Sequence, residues 1–140
     1  SWGVAILTGA ALGLLMWFNG WFVIWPAQKV VIQSALQAAG GGGPIPEAAA
    51  RGSRALVTSR TNVVFSIPML FFMGSASHLP LVVSEMPGYG TLALGVGAIL
   101  ALLEINALKG KTGPMTTVKG VITCGFVLAA TLYLAIELLL

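Results

Sequence analysis

The chain has 140 residues, of which 57% are hydrophobic and only 8% are charged. Soluble domains carry about 25% charged residues, so a water-soluble globular fold is excluded and most of the surface must face lipid. The formal net charge is +3, but the seven Lys and Arg residues fall in two loops and form no basic stripe, which argues against nucleic-acid binding.

Four apolar stretches are long enough to cross a bilayer, which takes about 20 residues. They cover residues 2–25, 62–79, 89–108 and 120–140, and none contains an internal Lys or Arg. Backbone groups in lipid must find partners within their own segment, and the sequence lacks the alternation typical of barrel strands. The sequence therefore predicts an all-α fold, an integral membrane four-helix bundle that forms a single domain over residues 1–140.

The basic residues predict the orientation of the bundle. All seven lie in the first and third of the three connections between the predicted spans: Lys29, Arg51, Arg54 and Arg60, then Lys109, Lys111 and Lys119. The second connection holds Glu85 and no basic residue. Because cytoplasmic loops are enriched in Lys and Arg, we expect a multi-pass protein of the bacterial inner membrane with both termini outside.

The first connection, residues 26–61, is too long for a simple turn. Pro26 suits the first turn of a helix, and apolar and polar residues after it recur at helical spacing until the glycines at 40–43. An alanine-rich segment after Pro46 can start a second helix. We therefore expect helices 1 and 2 to extend into a cytoplasmic helical hairpin, the alternative being a flexible loop.

Two faces of helix 1 are candidate contact surfaces for other membrane subunits, together with the basic hairpin. Gly9 and Gly13 form a small-xxx-small pair that allows close helix packing, within the chain or with a partner. Trp17 and Trp21 are four residues apart and share a face. They fit an interfacial aromatic belt, or a stacking platform for a pigment or quinone ring.

Two ionisable residues near the ends of spans are functional candidates. His78 follows a run of small residues, so it fits either an interfacial hydrogen-bonded histidine or a ligand of a haem or chlorophyll-type pigment at the periphery. Glu104 lies close in sequence to Lys109 and Lys111, which predicts a shallow ion pair. The alternative is a carboxylate on a proton path.

Self-contained catalysis is not expected from this sequence. It shows no close pair of carboxylates, no nucleophile–histidine set and no metal-spaced cluster, so we predict no catalytic residues and no metal site. Cys124 is the single cysteine, which allows no disulfide within the chain.

Four stretches carry a resemblance to a known family: residues 21–29 (WFVIWPAQK), 59–62 (SRTN), 66–73 (SIPMLFFM) and 77–78 (SH). They resemble the N-terminal membrane domain of the bacterial membrane-bound urate oxidases (urate hydroxylases), whose longer members end in a c-type cytochrome. The resemblance implies a helical membrane unit associated with redox chemistry. The chain has fewer spans than the longer members and no Cys-x-x-Cys-His haem-attachment motif, so we expect a short stand-alone form.

Two functions fit these observations. The first is a non-catalytic subunit that packs laterally, among lipid and other membrane subunits, in a larger energy-converting complex of photosynthesis or respiratory electron transport. It agrees with the small-residue faces and the missing catalytic motifs. The alternative is the membrane domain of a urate-oxidising or haem-carrying oxidoreductase, with His78 as ligand or proton shuttle.

Overall fold

The computed structural model describes residues 2–85 and 87–140, and these residues form helices and no strand. The long helices are α1 (Trp2–Phe18), α2 (Trp25–Ala39), α3 (Ala48–His78), α4 (Tyr89–Lys109) and α5 (Val118–Leu139). A π-helical turn, Asn19–Ile24, joins α1 to α2 in one continuous rod, and a short 3₁₀ helix, Gly113–Thr116, precedes α5. The rod and the other three long helices are each long and apolar enough to cross a membrane. The predicted all-helical membrane fold is confirmed.

Helix α3 is the central element of the bundle and packs against every other long helix. Its buried residues recur every three or four positions, which keeps them on one broad side of the helix. They are Ala55, Val57, Thr58, Thr61, Val64, Phe65, Pro68 and Phe72. Phe65 and Phe72 are among the largest fully buried side chains, so α3 supplies much of the core.

Helices α2 and α3 form a hairpin whose tip covers residues 40–47. The Ser34 hydroxyl accepts a hydrogen bond of 2.9 Å from the Ile45 amide, which ties the returning chain to α2. Gly41 has a φ of +88°, a conformation that only glycine adopts without strain. The expected helical hairpin is therefore present, and its location in the cytoplasm remains a prediction.

The two groups of basic residues meet at one end of the bundle. Arg54 Nη1 donates a hydrogen bond of 3.0 Å to the Ala107 carbonyl at the end of α4, and Arg60 donates to the Met115 carbonyl. At the opposite end, the Ser84 amide donates to the Leu140 carbonyl at 2.8 Å. The first and third connections thus share one rim, while the second connection and the C-terminus share the other.

The Gly9 and Gly13 face packs inside the bundle, so of its two predicted uses the structure shows packing within the chain and not contact with another subunit. Gly9 is buried, and a Cβ built there would lie 3.2 Å from Cγ of Met73 on α3. A Cβ at Gly13 would lie 3.5 Å from Sδ of Met69. Small residues let α1 approach α3 closely, so this face serves the fold of the chain itself.

Candidate functional site: a buried polar cluster

Three polar side chains from different helices meet inside the bundle. Asn19 Nδ2 donates hydrogen bonds of 3.0 Å to Asn62 Oδ1 and of 3.0 Å to Glu104 Oε2. Asn62 Nδ2 in turn donates to the Met16 carbonyl at 3.2 Å. We call Asn19, Asn62 and Glu104 the polar cluster. It joins the π-helical turn, α3 and α4, which are distant in sequence.

The polar cluster keeps two acceptor atoms unused. Asn19 is 0% exposed and Glu104 is 9% exposed. Asn19 Oδ1 and Glu104 Oε1 are both buried and accept no hydrogen bond from the residues that the structure describes. An unsatisfied buried polar atom costs about 1–3 kcal/mol. Two such acceptors in one cluster form a place where a proton or a small hydrogen-bond donor is stabilised.

The π-helical turn presents Asn19 to the other two helices. Its widened backbone carries a hydrogen bond from the Trp25 amide to the Gly20 carbonyl, five residues back. Pro26, the next residue, has no N–H and its ring crowds the carbonyl four residues earlier, so a regular α-helical ladder is already broken there. Single π-helical turns occur often at functional sites.

The polar cluster lies inside the apolar layer, near the basic rim. Asn19 directly follows α1, which has 17 residues. At 1.5 Å per residue it lies about 26 Å from Trp2, while Asn62 lies about 24 Å from His78 and Glu104 about 22 Å from Tyr89. The hydrocarbon core of a bilayer is about 30 Å thick, so the three residues share one depth a few ångströms below the rim.

A second layer of hydrogen bonds closes the bundle at the rim. The Ala107 carbonyl accepts from Arg54 Nη1 and also from the Thr58 hydroxyl, at 3.0 Å each. Carbonyls in the last turn of a helix have no partner within the helix. These contacts satisfy the end of α4 from α3 and fix the position of Glu104, which lies less than one turn earlier.

Comparison with protein families gives one match. The family model described as "Urate oxidase N-terminal" matches residues 2–133. The chain belongs to the urate oxidase N-terminal family. No curated protein and no solved structure shows a significant match to it. The resemblance inferred from the four stretches between residues 21 and 78 is therefore confirmed, and the match includes α4 and most of α5 as well.

In this urate oxidase N-terminal chain, the predicted ion pair between Glu104 and Lys109 or Lys111 is wrong. Glu104 Oε2 accepts from Asn19, and among the described residues the one ion pair joins Arg51 Nε to Glu47 Oε2 at 3.9 Å. Both lysines are exposed. Glu104 points into the bundle and away from the lysines.

The other predicted site residues lie outside the polar cluster. His78 is exposed at the last position of α3, at the opposite end of the bundle. Trp17 and Trp21 are 56% and 60% exposed and line an open cleft of about 510 Å³ with Trp25 and their neighbours. Ligand binding at His78 and ring stacking at the tryptophans remain predictions. A visible-range spectrum of a His78→Ala variant tests the first.

Sequence analysis missed Asn19 as a functional residue and noted Asn62 only as part of a family stretch. The available signal is the residue type, because an asparagine amid apolar residues in a span is costly unless it has a partner. The polar residues predicted to have a role within the spans, His78 and Glu104, are both ionisable. Asparagine carries no charge, yet here it supplies the donor that holds Glu104.

Proposed function

We propose that this chain is the membrane unit of a urate-oxidising oxidoreductase and that its polar cluster carries a proton. The membership of the urate oxidase N-terminal family supports the reaction class. The single observation that carries the role is the pair of buried, unused acceptors, Glu104 Oε1 and Asn19 Oδ1. Carboxylic acids buried in membrane proteins commonly serve as proton relays.

Urate oxidation releases protons that such a relay can carry. When water is the oxygen source, a new C–O bond forms on the purine ring, two electrons leave to an acceptor and two protons are released. The longer members of the family end in a c-type cytochrome, which accepts electrons one at a time, so two successive transfers take up the pair. The residues of this chain then have the task of holding and moving protons at the membrane.

Each member of the polar cluster has a distinct part in this proposal. The Asn19 amide holds Glu104 Oε2 and so leaves Oε1 as the proton-accepting atom. Asn62 orients Asn19, because its Oδ1 accepts from the same amide nitrogen while its own amide is anchored on the Met16 carbonyl. Glu104 is the proton carrier, and the two asparagines are positioning residues.

The experiment places Glu104→Gln in the native chromosomal copy and measures urate consumption by isolated membranes with an added one-electron acceptor. General acid–base groups contribute about 10²–10⁴-fold, so we expect a loss of at least about tenfold. Glu137→Gln is the matched control, since Glu137 lies on α5 near the opposite end of the bundle and accepts a hydrogen bond from the Tyr133 hydroxyl. We expect its rate to stay within about twofold of wild type.

Two results would overturn the proposal. One is a Glu104→Gln protein that is present at wild-type level, elutes as a single species and consumes urate at the wild-type rate. The other is a strain lacking the whole chain whose membranes still oxidise urate at the wild-type rate. The first result would contradict the proton-carrying role of the polar cluster. The second would contradict the participation of this chain in urate oxidation.

A second candidate is the non-catalytic subunit of a larger photosynthetic or respiratory complex. One observation favours it. Ala93, Gly97 and Ala101 are four residues apart on α4 and all are exposed, which forms an unused small-residue stripe of the kind that packs against another helix. Co-migration with cofactor-bearing subunits in mild detergent, together with unchanged urate oxidation in the deletion strain, would favour this candidate.

A further inference from the structure

Helices α4 and α5 leave an open groove between them, of about 570 Å³, toward the basic rim. Its walls and floor are apolar and include Val64, Ile99, Leu103, Val127 and Leu128. The volume falls within the range of about 300–1,000 Å³ that is typical of ligand sites. The groove faces sideways into the lipid layer, because Val127 and Leu102 on its two edges are exposed.

The mouth of the groove is positively charged. Lys111 lines it, and Lys109 and Lys119 are exposed on the flanking ends of α4 and α5. None of these lysines forms an ion pair with a carboxylate in the part of the chain that the structure describes. The groove therefore combines an apolar trough at acyl-chain depth with cations at headgroup depth.

We infer that this groove binds one anionic phospholipid, with an acyl chain between α4 and α5 and the phosphate at Lys111. A lysine ammonium binds phosphate as a point charge, and basic pockets between transmembrane helices bind anionic headgroups. The positive charge of the lysines at the mouth is complementary to a phosphate and has no counterpart on a neutral ring such as a quinone.

The headgroup is tested with the purified, delipidated full chain. Phosphatidylglycerol or phosphatidylcholine with identical acyl chains is added back, and the lipids retained are counted by native mass spectrometry. We expect phosphatidylglycerol to be retained at least about tenfold better, since three lysines near the mouth attract an anionic headgroup. Lys111→Gln should lower that preference about fivefold or more. Lys29→Gln removes a cation from the same rim outside the groove and should leave it unchanged.

The acyl chain is tested by filling the groove. Val127→Trp places an indole in the groove and should abolish retention of phosphatidylglycerol. Phe126→Trp, on the neighbouring exposed position outside the groove, should retain it as well as wild type. Both substitutions are on exposed positions of α5, and an unchanged helical circular dichroism spectrum verifies folding.

Three results would overturn the inference. Equal retention of the two headgroups by the wild-type chain removes the anionic specificity, and a preference that is undiminished in Lys111→Gln removes the assigned contact. The chain could also retain one isoprenoid quinone per molecule in place of phospholipid and lose it in Val127→Trp. That result would assign the groove to a different ligand. None of these results bears on urate oxidation, so they leave the role of Glu104 to its own test.

Discussion

Asn19 Nδ2 lies 3.0 Å from Glu104 Oε2 and so connects two residues 85 positions apart in the sequence. Both side chains are buried, and the same amide nitrogen also binds Asn62. The contact fixes the π-helical turn against α4, two elements that otherwise meet through α3. The packing of these elements and the proposed proton transfer therefore depend on the same amide.

The first prediction concerns the energetic coupling of this pair. Asn19→Leu leaves Glu104 Oε2 and Asn62 Oδ1 without their donor, and we expect a loss of about 1–3 kcal/mol in the free energy of unfolding. Glu104→Leu removes the other partner. The double variant should lose less than the sum of the two, by about 0.5–2 kcal/mol, because Glu104 Oε2 is no longer left without a donor and Asn62 Oδ1 is the one acceptor that still lacks Asn19. Unfolding in mixed detergent micelles measures all four proteins, and strictly additive losses would contradict the contact.

The second prediction concerns the approach of α5 to α3. Gly125 is buried, and a Cβ there would overlap the side chain of Ile67. Overpacking of a closed core costs about 1–3 kcal/mol, so Gly125→Ala should lower the melting temperature in detergent. Adding Ile67→Ala should restore part of that loss by making room.

The matched control for this prediction is Gly97→Ala on α4. A Cβ at Gly97 has no neighbour within 4 Å. Alanine favours a helix over glycine by about 1 kcal/mol, so this variant should be neutral or slightly more stable. Equal destabilisation by both alanines would mean that the α3 and α5 contact is looser than described.

Sequence alone could predict the number of helices and the hairpin, because both follow from local constraints. Lipid requires long helical apolar segments, and the glycines at 40–43 interrupt a helical pattern wherever the rest of the chain lies. The same constraint places the basic residues outside the apolar layer, because none of the predicted spans contains an internal Lys or Arg. These features need no knowledge of which helices are neighbours.

The polar cluster could not be predicted in this way, because it depends on which helices meet. Lys109 is close to Glu104 in sequence, but five residues turn an α-helix by about 140°, so their side chains leave different faces. Asn19 reaches Glu104 only because α3 brings the π-helical turn and α4 to the same depth. The neighbour of the Gly9 and Gly13 face could not be predicted for a related reason, since a small-residue pair does not indicate which helix packs on it.

The third prediction concerns the arginine that closes the end of α4. Arg54 Nη1 donates to the Ala107 carbonyl, and a hydrogen bond from a charged group contributes about 1.5–3 kcal/mol. Arg54→Gln should lower the free energy of unfolding by about 1 kcal/mol or more and speed amide hydrogen exchange in the last turn of α4. Arg51→Gln is the control, because its exposed pair with Glu47 contributes about 0–1 kcal/mol. Equal effects of the two variants would remove the role assigned to Arg54.

The fourth prediction concerns orientation in the membrane. In a Cys124→Ser background, a cysteine is placed at Gly43 in the hairpin tip, at Lys119 before α5, or at Glu85 between α3 and α4, all exposed positions. We expect the basic rim to lie in the cytoplasm, because Lys and Arg concentrate on that side of membrane proteins. A membrane-impermeant maleimide should therefore label the Glu85 variant in intact spheroplasts and the other two only after lysis. Labelling of the Gly43 and Lys119 variants from opposite sides would contradict the shared rim formed by the Arg60 contact with Met115. If the Glu85 variant were protected in intact spheroplasts and the other two were labelled, the bundle would stand as described but with the opposite orientation in the membrane.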